Sequence, residues 1–319
     1  MADGRAVEAS ASKNTDLFWA LKGGANNFGM ISPLLTTLDG ILIKIIPGII
    51  TKITSKTYPI NAVWGSVRIF GIDQMPALLT AVREYQTAPN KDLYANMVMN
   101  LAPTNGSIVL TLIYLKPVDT PAAYAPFYKL TPLLEQSGLM TLTQLQSLFP
   151  APELPRWAWW SVSFKPNAAV YAKISSILSN ATEIGAISAL QAGTLVATVQ
   201  PINANVARAG AARGGNPLGL QAVDQTWFAL NAGWFNAKDD AAANAALESL
   251  HNKVAAVASG ADVKIQYIFM NDANYKQQVL ASYGITNVQR LKAVQKVYDP
   301  TKVFQKLVKG GQKIPATAA

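Results

Sequence analysis

The residue types that most often do chemistry in enzymes are scarce in this chain. One histidine and no cysteine occur among the 319 residues, so a thiolate nucleophile and a thiolate zinc site are excluded. A Ser-His-Asp arrangement would need His251, which lies beside the apolar positions Leu247, Leu250 and Val254 of a predicted helix and so indicates a structural role. The carboxylates are scattered, so no metal site is expected. Neither glycine-rich phosphate-binding motif, GxGxxG or GxxxxGKS/T, is present. Redox chemistry on a bound cofactor remains, or no chemistry.

Two segments carry patterns that could serve a cofactor. The first, 16–29, reads DLFWALKGGANNFG and predicts a short helix that runs into a glycine-dense turn, where backbone amides could approach a ligand closely. A plain helix C-cap followed by a turn is the alternative interpretation. The second segment, 269–272 (FMND), follows a predicted strand. Because side chains alternate along a strand, Tyr267, Phe269 and Asn271 are expected to share one face.

Together these segments resemble the FAD-linked oxidoreductases of the vanillyl-alcohol oxidase superfamily (PCMH-type flavoproteins), in particular the fungal members similar to berberine bridge enzyme. The opening ADGRAVEASASKNTDLFWALKGGANNFG resembles the end of that family's FAD-binding domain, and 267–313, with YDPTKVFQKL, resembles its C-terminal segment. The resemblance covers most of the chain. It implies FAD as cofactor, a small-molecule substrate, molecular oxygen as electron acceptor and a role in fungal secondary metabolism.

The resemblance also implies roles for single residues. The residues expected in the turn that packs against FAD are Gly23, Gly24, Asn27, Phe28 and Gly29. Asn271 is expected near the flavin ring, where its carboxamide could both donate and accept a hydrogen bond. Tyr267 and Phe269 either line the substrate cavity or pack the sheet, and Trp227 is a weaker candidate for the same lining. Many relatives have Tyr-x-Asn-Tyr where this chain has FMND, so a phenol base is missing and the catalytic base is unassigned.

The chain departs from the family pattern in two places. No segment matches the family's glycine-rich pyrophosphate loop or its covalent flavin attachment, which predicts an N-terminally truncated chain with impaired FAD binding. The alternative is a non-catalytic fragment that acts at most as a binding or association module. The second departure is 30–48, which has no family counterpart and is interpreted as an insertion. We hypothesise that 30–48 is a retained intron, and spliced transcripts that lack it would test this.

The periodicity of the chain predicts an α+β fold with an antiparallel seven-stranded sheet covered by helices. The predicted strands are 63–70, 94–101, 108–115, 157–164, 193–200, 226–235 and 263–270. The predicted helices are 76–85, 121–135, 142–149, 168–190, 238–258, 275–283 and 288–297. A turn at 103–106 favours antiparallel pairing of its two neighbouring strands, and 208–219 is predicted to be a glycine-rich loop. The resemblance then implies three regions: 1–58, a remnant of the FAD-binding domain with the insertion at 30–48; 59–270, the substrate-binding domain; and 271–319, a segment that returns to the FAD-binding side.

The positive charge of the chain is local. Seven basic residues and one acid between 285 and 313 give 7 − 1 = +6 of the formal net charge of +9. The apolar residues of that stretch fall at helical spacings, which favours a solvated basic helix face over nucleic-acid or membrane contact. The longest apolar run, 41–50, is too short to cross a bilayer and contains Lys44 and Pro47. No secretory signal is recognised in the first residues, and the localisation is left open.

Overall fold

The computed structural model describes residues 6–31, 36–38, 43–46, 49–55, 58–148 and 153–316. Its contacts divide the chain into two compact units. The first unit is made of Met1–Pro59, Val206–Ala222 and Tyr275–Ala319, and the second of Ile60–Asn205 and Val223–Asn274. The segment 206–222, which lies within the predicted region 59–270, therefore groups with the two ends of the chain. The functional names of the three predicted regions stay predictions.

The second unit is built on one antiparallel sheet of eight strands in the order β13-β10-β12-β11-β7-β8-β6-β9. Its strands are β6 (Val63–Gly71), β7 (Ala95–Ala102), β8 (Ser107–Tyr114), β9 (Leu134–Met140), β10 (Arg156–Phe164), β11 (Thr194–Ile202), β12 (Gln225–Trp234) and β13 (Lys264–Ile265). The predicted fold class is confirmed, with one strand more than expected. The predicted turn at 103–106 joins β7 and β8 as antiparallel neighbours, and Gly106 supplies the positive φ of 72° that the turn requires.

Helices cover one face of this sheet. They are α2 (Met75–Thr87), α3 (Ala125–Tyr128), α5 (Ala168–Asn180), α6 (Thr182–Ser188) and α8 (Asp240–Gly260), while α4 (Leu142–Ser147) follows β9. The strands supply the core by alternation: on β12, Phe228, Leu230 and Ala232 are fully buried with the apolar side chains of the helices. The helices α2 and α8 lie near their predicted positions, because their apolar residues recur at the 3.6-residue period.

The predicted helix over 121–135 is wrong in its second half. The chain forms a 3-10 turn at Ala122–Tyr124 and the short helix α3, and then enters β9. Pro132 explains the stop, because proline offers no N–H and disfavours helical geometry in the residue before it. Most residues of β9 are exposed, and its apolar residues lie only at its two ends, so the sequence shows no apolar alternation that would predict a strand. Pairing with β6 over Ile69 to Val63 forms it instead.

The predicted helix over 168–190 is two helices. Ala181 is extended, with φ −70° and ψ 130°, and separates α5 from α6. The predicted helix at 275–283 is also wrong, since only Ala281–Tyr283 forms a 3-10 turn there. The Oγ of Ser282 donates to the carbonyl oxygen of Val279 at 2.6 Å. Such local side-chain bonds compete with the α-helical ladder.

The first unit contains a smaller sheet in the order β1-β4-β5-β2, with β3 paired to β5. Its elements are β1 (Val7–Ala9), α1 (Thr15–Leu21), β2 (Met30–Ile31), β3 (Thr36–Leu38), β4 (Ile43–Ile46), β5 (Ile49–Ser55), α9 (Ile285–Tyr298) and α10 (Val303–Lys306). The helix α7 (Ala204–Ala212) begins at the boundary of the two units and replaces the first part of the predicted loop at 208–219. Of the interpreted insertion 30–48, the described parts belong to strands, and 32–35, 39–42 and 47–48 lie outside the described residues.

The basic helix α9 packs against α1 within the first unit. The guanidinium of Arg290 lies over the ring of Trp19 at 4.0 Å, and the Tyr298 hydroxyl donates to Asp16 at 2.9 Å. Part of the local positive charge is therefore used in packing, through a cation–π contact. Among the described helices, none combines the length and apolar character that a bilayer span requires.

His251 gives the second unit a pH-dependent stability. The imidazole is buried on α8 and lies against the ring of Trp160, with 4.7 Å between ring centroids. Burial lowers the pKa of His251 to about 4, with the charge of Lys264 acting in the same direction and that of Glu248 opposing it. The ordinary value in an unfolded chain is about 6.5. Since folding favours the neutral ring, this contribution to stability is full above the unfolded pKa and is lost as the pH falls toward 4.

We therefore expect the free energy of unfolding to fall by about 2 kcal/mol between pH 7 and pH 5 through His251 alone. A His251→Phe variant keeps a ring against Trp160 and removes the titration, so its loss over the same interval should be smaller by about that amount. Urea denaturation of both proteins at the two pH values measures the difference. Equal losses in the two proteins would contradict the assignment.

Candidate functional site

An aromatic group lies on the face of the large sheet opposite its helices. Trp227 of β12 alternates with the buried core residues and so faces away from them. Its ring stacks on Phe269 with 4.3 Å between centroids, and it contacts Tyr267 at 5.2 Å. The indole N–H donates to the side chain of Gln225 at 3.0 Å. Three residues predicted to line a cavity are thus brought together, and Trp227, the weaker candidate, contacts both of the others.

Tyr267 and Phe269 contact Trp227 although the segment that carries them does not form the predicted strand. The strand predicted over 263–270 ends after Ile265, and 266–269 has no regular structure. The side chain of Asn274 donates to the carbonyl oxygen of Trp159 on β10 at 2.9 Å. This bond occupies a carbonyl at the edge of β10 with which a longer strand would pair, and it explains why the ladder stops.

Asn271 does not share a strand face with Phe269, so that expectation is wrong. It lies in the 3-10 turn Met270–Asp272, which contacts β10 and β12. Its side chain is exposed, so the carboxamide is accessible from solvent. The role of Asn271 beside a flavin stays a prediction.

Asp272 places a carboxylate next to the aromatic group. Its Oδ2 accepts a hydrogen bond of 2.6 Å from Nε2 of Gln200 on β11. Gln200 stands opposite Trp227 in the register of β11 and β12, and Trp227 stands opposite Ser163 of β10. Burial raises the pKa of the Asp272 carboxyl above the usual aspartate range, and the bond from Gln200 opposes that shift. A carboxylate of raised basicity beside uncharged hydrogen-bonding groups can accept a proton.

The three strands beneath this group present no charge on the same face. The positions that alternate with the core on these strands are Trp159, Ser161 and Ser163 on β10, Trp227, Ala229 and Asn231 on β12, and Val196, Thr198 and Gln200 on β11. Thr198 donates to Asn100 of β7 at 2.8 Å. The face is therefore suited to a neutral ligand with hydrogen-bonding groups and a flat apolar part. Among the residues that the structure describes, no group of His, Asp and Glu side chains could hold a metal ion.

The glycine-dense turn lies in the first unit and is close-packed. A Cβ on Gly23 would lie 2.6 Å from Cδ2 of Leu218, and one on Gly24 would lie 2.5 Å from the carbonyl oxygen of Ala20. These glycines are thus required by the packing of their own unit. The N–H of Gly24 donates to Ala20 at 2.7 Å, which ends α1. Phe28 and Gly29 are buried. The turn thus ends α1 as a helix C-cap does, and the role of its residues beside FAD stays a prediction.

The side chain of Asn27 is fully used by the first unit. It is 0% exposed. Its Nδ2 donates to the carbonyl oxygens of Gly24 at 2.7 Å and Gln312 at 2.8 Å. Its Oδ1 accepts from the N–H of Ile314 at 3.1 Å and from the side chain of Gln305. Asn27 therefore joins the turn to the C-terminal segment of the same unit.

Neither Asp272 nor Gln200 has a role predicted from the sequence. Asp272 appeared only as the residue that replaces a tyrosine in the FMND motif. The carboxylate of Asp272 is visible in the sequence, but its partner Gln200 on β11 is 72 positions away in the chain. Such a pair becomes visible only when the sheet is formed.

The chain is similar in sequence to fungal flavoproteins. It is 30% identical over 315 residues to the bifunctional solanapyrone synthase of Alternaria solani, covering 98% of this chain and 57% of that protein. It is 33% identical over 316 residues to an FAD-dependent monooxygenase of Arthrobotrys oligospora, again covering 98% of this chain and 57% of the relative. The chain thus spans somewhat more than half the length of these relatives. No protein-family model matches it.

Solved structures share the fold at low sequence identity. The carbohydrate oxidase of Microdochium nivale has a TM-score of 0.66 at 16% identity, covering 99% of this chain and 64% of that chain. The xylooligosaccharide oxidase of Myceliophthora thermophila has a TM-score of 0.66 at 15% identity, covering 97% of this chain and 63% of that chain. At these identities the similarity concerns the fold alone.

Proposed function

We propose, from the premise that the chain belongs to the fungal FAD-linked oxidoreductases of the berberine-bridge-enzyme type, that it serves the FAD-dependent oxidation of a small organic molecule. The observation that carries this proposal is the alignment of 98% of the chain with FAD-dependent relatives. We further propose molecular oxygen as the electron acceptor. FAD, when bound, supplies the two-electron oxidation that no side chain of this protein can perform.

The residues of the second unit suit the flavin ring of FAD better than the turn of the first unit suits its pyrophosphate. In the second unit, the exposed carboxamide of Asn271 and the stacked rings of Trp227 and Phe269 suit a planar ring system with hydrogen-bonding edges. In the first unit, the N–H groups of Gly24 and Asn27 are bonded within the turn. Those two N–H groups are therefore not free to bind a pyrophosphate.

We assign the proton transfer of this reaction to Asp272. Oxidation of an alcohol removes a proton from oxygen as well as a hydride from carbon. The group that takes the proton must be a base near the site. Oδ2 of Asp272 is held by Gln200 at 2.6 Å, so we assign Oδ1 as the accepting atom.

We propose that the 319-residue chain by itself holds FAD weakly. No segment of it matches the family's pyrophosphate loop, and the remaining contacts would have to offset the full ordering cost of a dinucleotide. The purified chain is therefore expected to be colourless after gel filtration and to bind added FAD reversibly.

Titration of the chain with FAD, followed by flavin fluorescence, tests the proposal. Reversible binding that an Asn271→Ala variant weakens is the expected result. NAD, added as a competitor of FAD, serves as the control nucleotide, since it shares the adenosine and pyrophosphate but lacks the flavin ring. If the chain binds FAD no better than NAD, the proposed cofactor role fails. The alternative hypothesis, a non-catalytic fragment that acts as a binding or association module, is then favoured.

A further inference from the structure

The two edges of the large sheet differ. At one edge, β13 has two residues and pairs with β10 only at Ser163 and Phe164. At the other edge, β9 has seven residues and pairs with β6 along its whole length. Alternate residues of an edge strand direct their N–H and C=O groups away from the neighbouring strand. The edge formed by β9 therefore offers a long row of backbone groups for a further strand.

Natural sheets usually protect such an edge with proline, lysine or a bulge. The strand β9 contains neither proline nor lysine. Its one charged residue, Glu135, is neutralised inside the same unit by Arg68, with 2.7 Å between the charged atoms. The strand also carries exposed apolar side chains, since Leu134 is 61% and Leu139 56% exposed. Leu133 and Leu142, on either side of the strand, are exposed as well.

We propose that β9 pairs antiparallel with β9 of a second copy of this chain, about a two-fold axis that passes midway between the two copies of Ser137. The two sheets would then continue into each other across the axis. This interface is isologous, because the same strand supplies both halves. The inference rests on the second unit alone and does not depend on the proposed function.

The register follows from the side chains. A two-fold axis normal to the sheet places residues of the same face opposite each other, so the residue numbers of each pair add up to an even number. With Ser137 at the centre, Leu134 stands opposite Met140 of the second copy, which joins two apolar side chains. Gln136 stands opposite Gly138, where no atom lies within 4 Å of an added Cβ, so the space for the glutamine is open.

The same register avoids charge repulsion. Glu135 stands opposite Leu139 of the second copy rather than opposite another acid, and like charges directly opposite each other would destabilise the pair. An acidic or basic partner would gain little from this strand, because its one charge is already paired with Arg68. A second copy of β9 supplies backbone groups that can pair with those of β9 and apolar side chains that stand opposite its own.

Cysteine cross-linking tests the pairing and its register. The chain has no cysteine, so an introduced thiol reports on one position only. Residues directly opposite each other in an antiparallel pair have Cα atoms about 4.5–5.5 Å apart, within the range that a disulfide spans. We expect Ser137→Cys to give a disulfide-linked dimer under mild oxidation. Gln136→Cys is the matched control, because its two copies would be about 8 Å apart and could not be bridged.

Sedimentation velocity measures the association without a cross-link. The unmodified chain should sediment as a dimer at micromolar concentration. Leu134→Lys should raise the dissociation constant about tenfold or more, because it places a charge at an edge strand opposite Met140. Leu93→Lys, which changes an exposed leucine outside β9, should leave the dimer intact.

Two results would overturn the proposal. A chain that remains monomeric at high concentration and gives no Ser137→Cys dimer has no such interface, whether its edge is solvated or covered by another segment. Equal cross-linking of Ser137→Cys and Gln136→Cys would also overturn it, because the pairing would then have no defined register.

Discussion

Asp272→Asn should lower kcat/KM for oxidation of the substrate by about 10²–10⁴-fold at saturating FAD, the range that a general base typically contributes. The substitution preserves the shape of the side chain but removes its ability to take a proton. The bond with Gln200, 2.6 Å in length, can persist because an asparagine oxygen also accepts. Production of hydrogen peroxide measures the rate, and KM is expected to change far less than kcat.

The pH profile separates proton transfer from a structural role for Asp272. Because burial raises the pKa of its carboxyl, the rate should fall as the pH drops through a value above the ordinary aspartate pKa. Gln200→Leu removes the bond that favours the carboxylate, so the pKa of Asp272 and the acidic limb of the profile should both move to higher pH. NMR titration of the Asp272 carboxyl follows that shift without turnover. Full activity of Asp272→Asn, with an unchanged profile, would exclude the assignment.

Asn27→Ala should destabilise the protein by about 3 kcal/mol, since each buried hydrogen bond contributes about 1 kcal/mol and the side chain makes several. The amide is 0% exposed and joins Gly24, Gln305, Gln312 and Ile314. Its removal releases the C-terminal segment from the turn of the first unit. Urea denaturation, followed by a probe in each unit, measures the loss and shows where it occurs.

Asn26→Ala is the matched control for this prediction. Its side chain makes one hydrogen bond, to Gly310 at 3.1 Å near the surface, so the expected loss is about 1 kcal/mol or less. The two neighbours in the ANN motif thus differ in burial and in the number of bonds. Should both variants lose the same stability, Asn27 would not be the connection that its hydrogen bonds indicate.

Much of the second unit could be predicted from the sequence. The strands β6, β7, β8, β10, β11 and β12 are apolar or alternating segments bounded by turn residues, and each forms near its predicted position. Their local pattern and their burial agree, because a strand with one covered face needs that alternation. The helices α2 and α8 could also be predicted from the sequence, because their apolar residues recur at the helical period and face the core.

The strand β9 and the end of β13 could not be predicted in this way. The strand β9 has no apolar alternation and forms because β6 offers a partner. The strand β13 ends early because Asn274 bonds to β10. Both outcomes depend on groups far away in the chain. Local propensity carries no information about such partners.

The residue types and their order thus determined the family resemblance, the expected cofactor and the antiparallel sheet under helices, because these depend on motifs and on short periods. The tertiary structure decided which side chains are available for chemistry. It buried the side chain of Asn27 in hydrogen bonds within the first unit, placed Trp227 in contact with Tyr267 and Phe269, and brought Gln200 to Asp272. Contacts between distant strands set burial and hydrogen bonding, and these in turn set which groups can bind or take a proton.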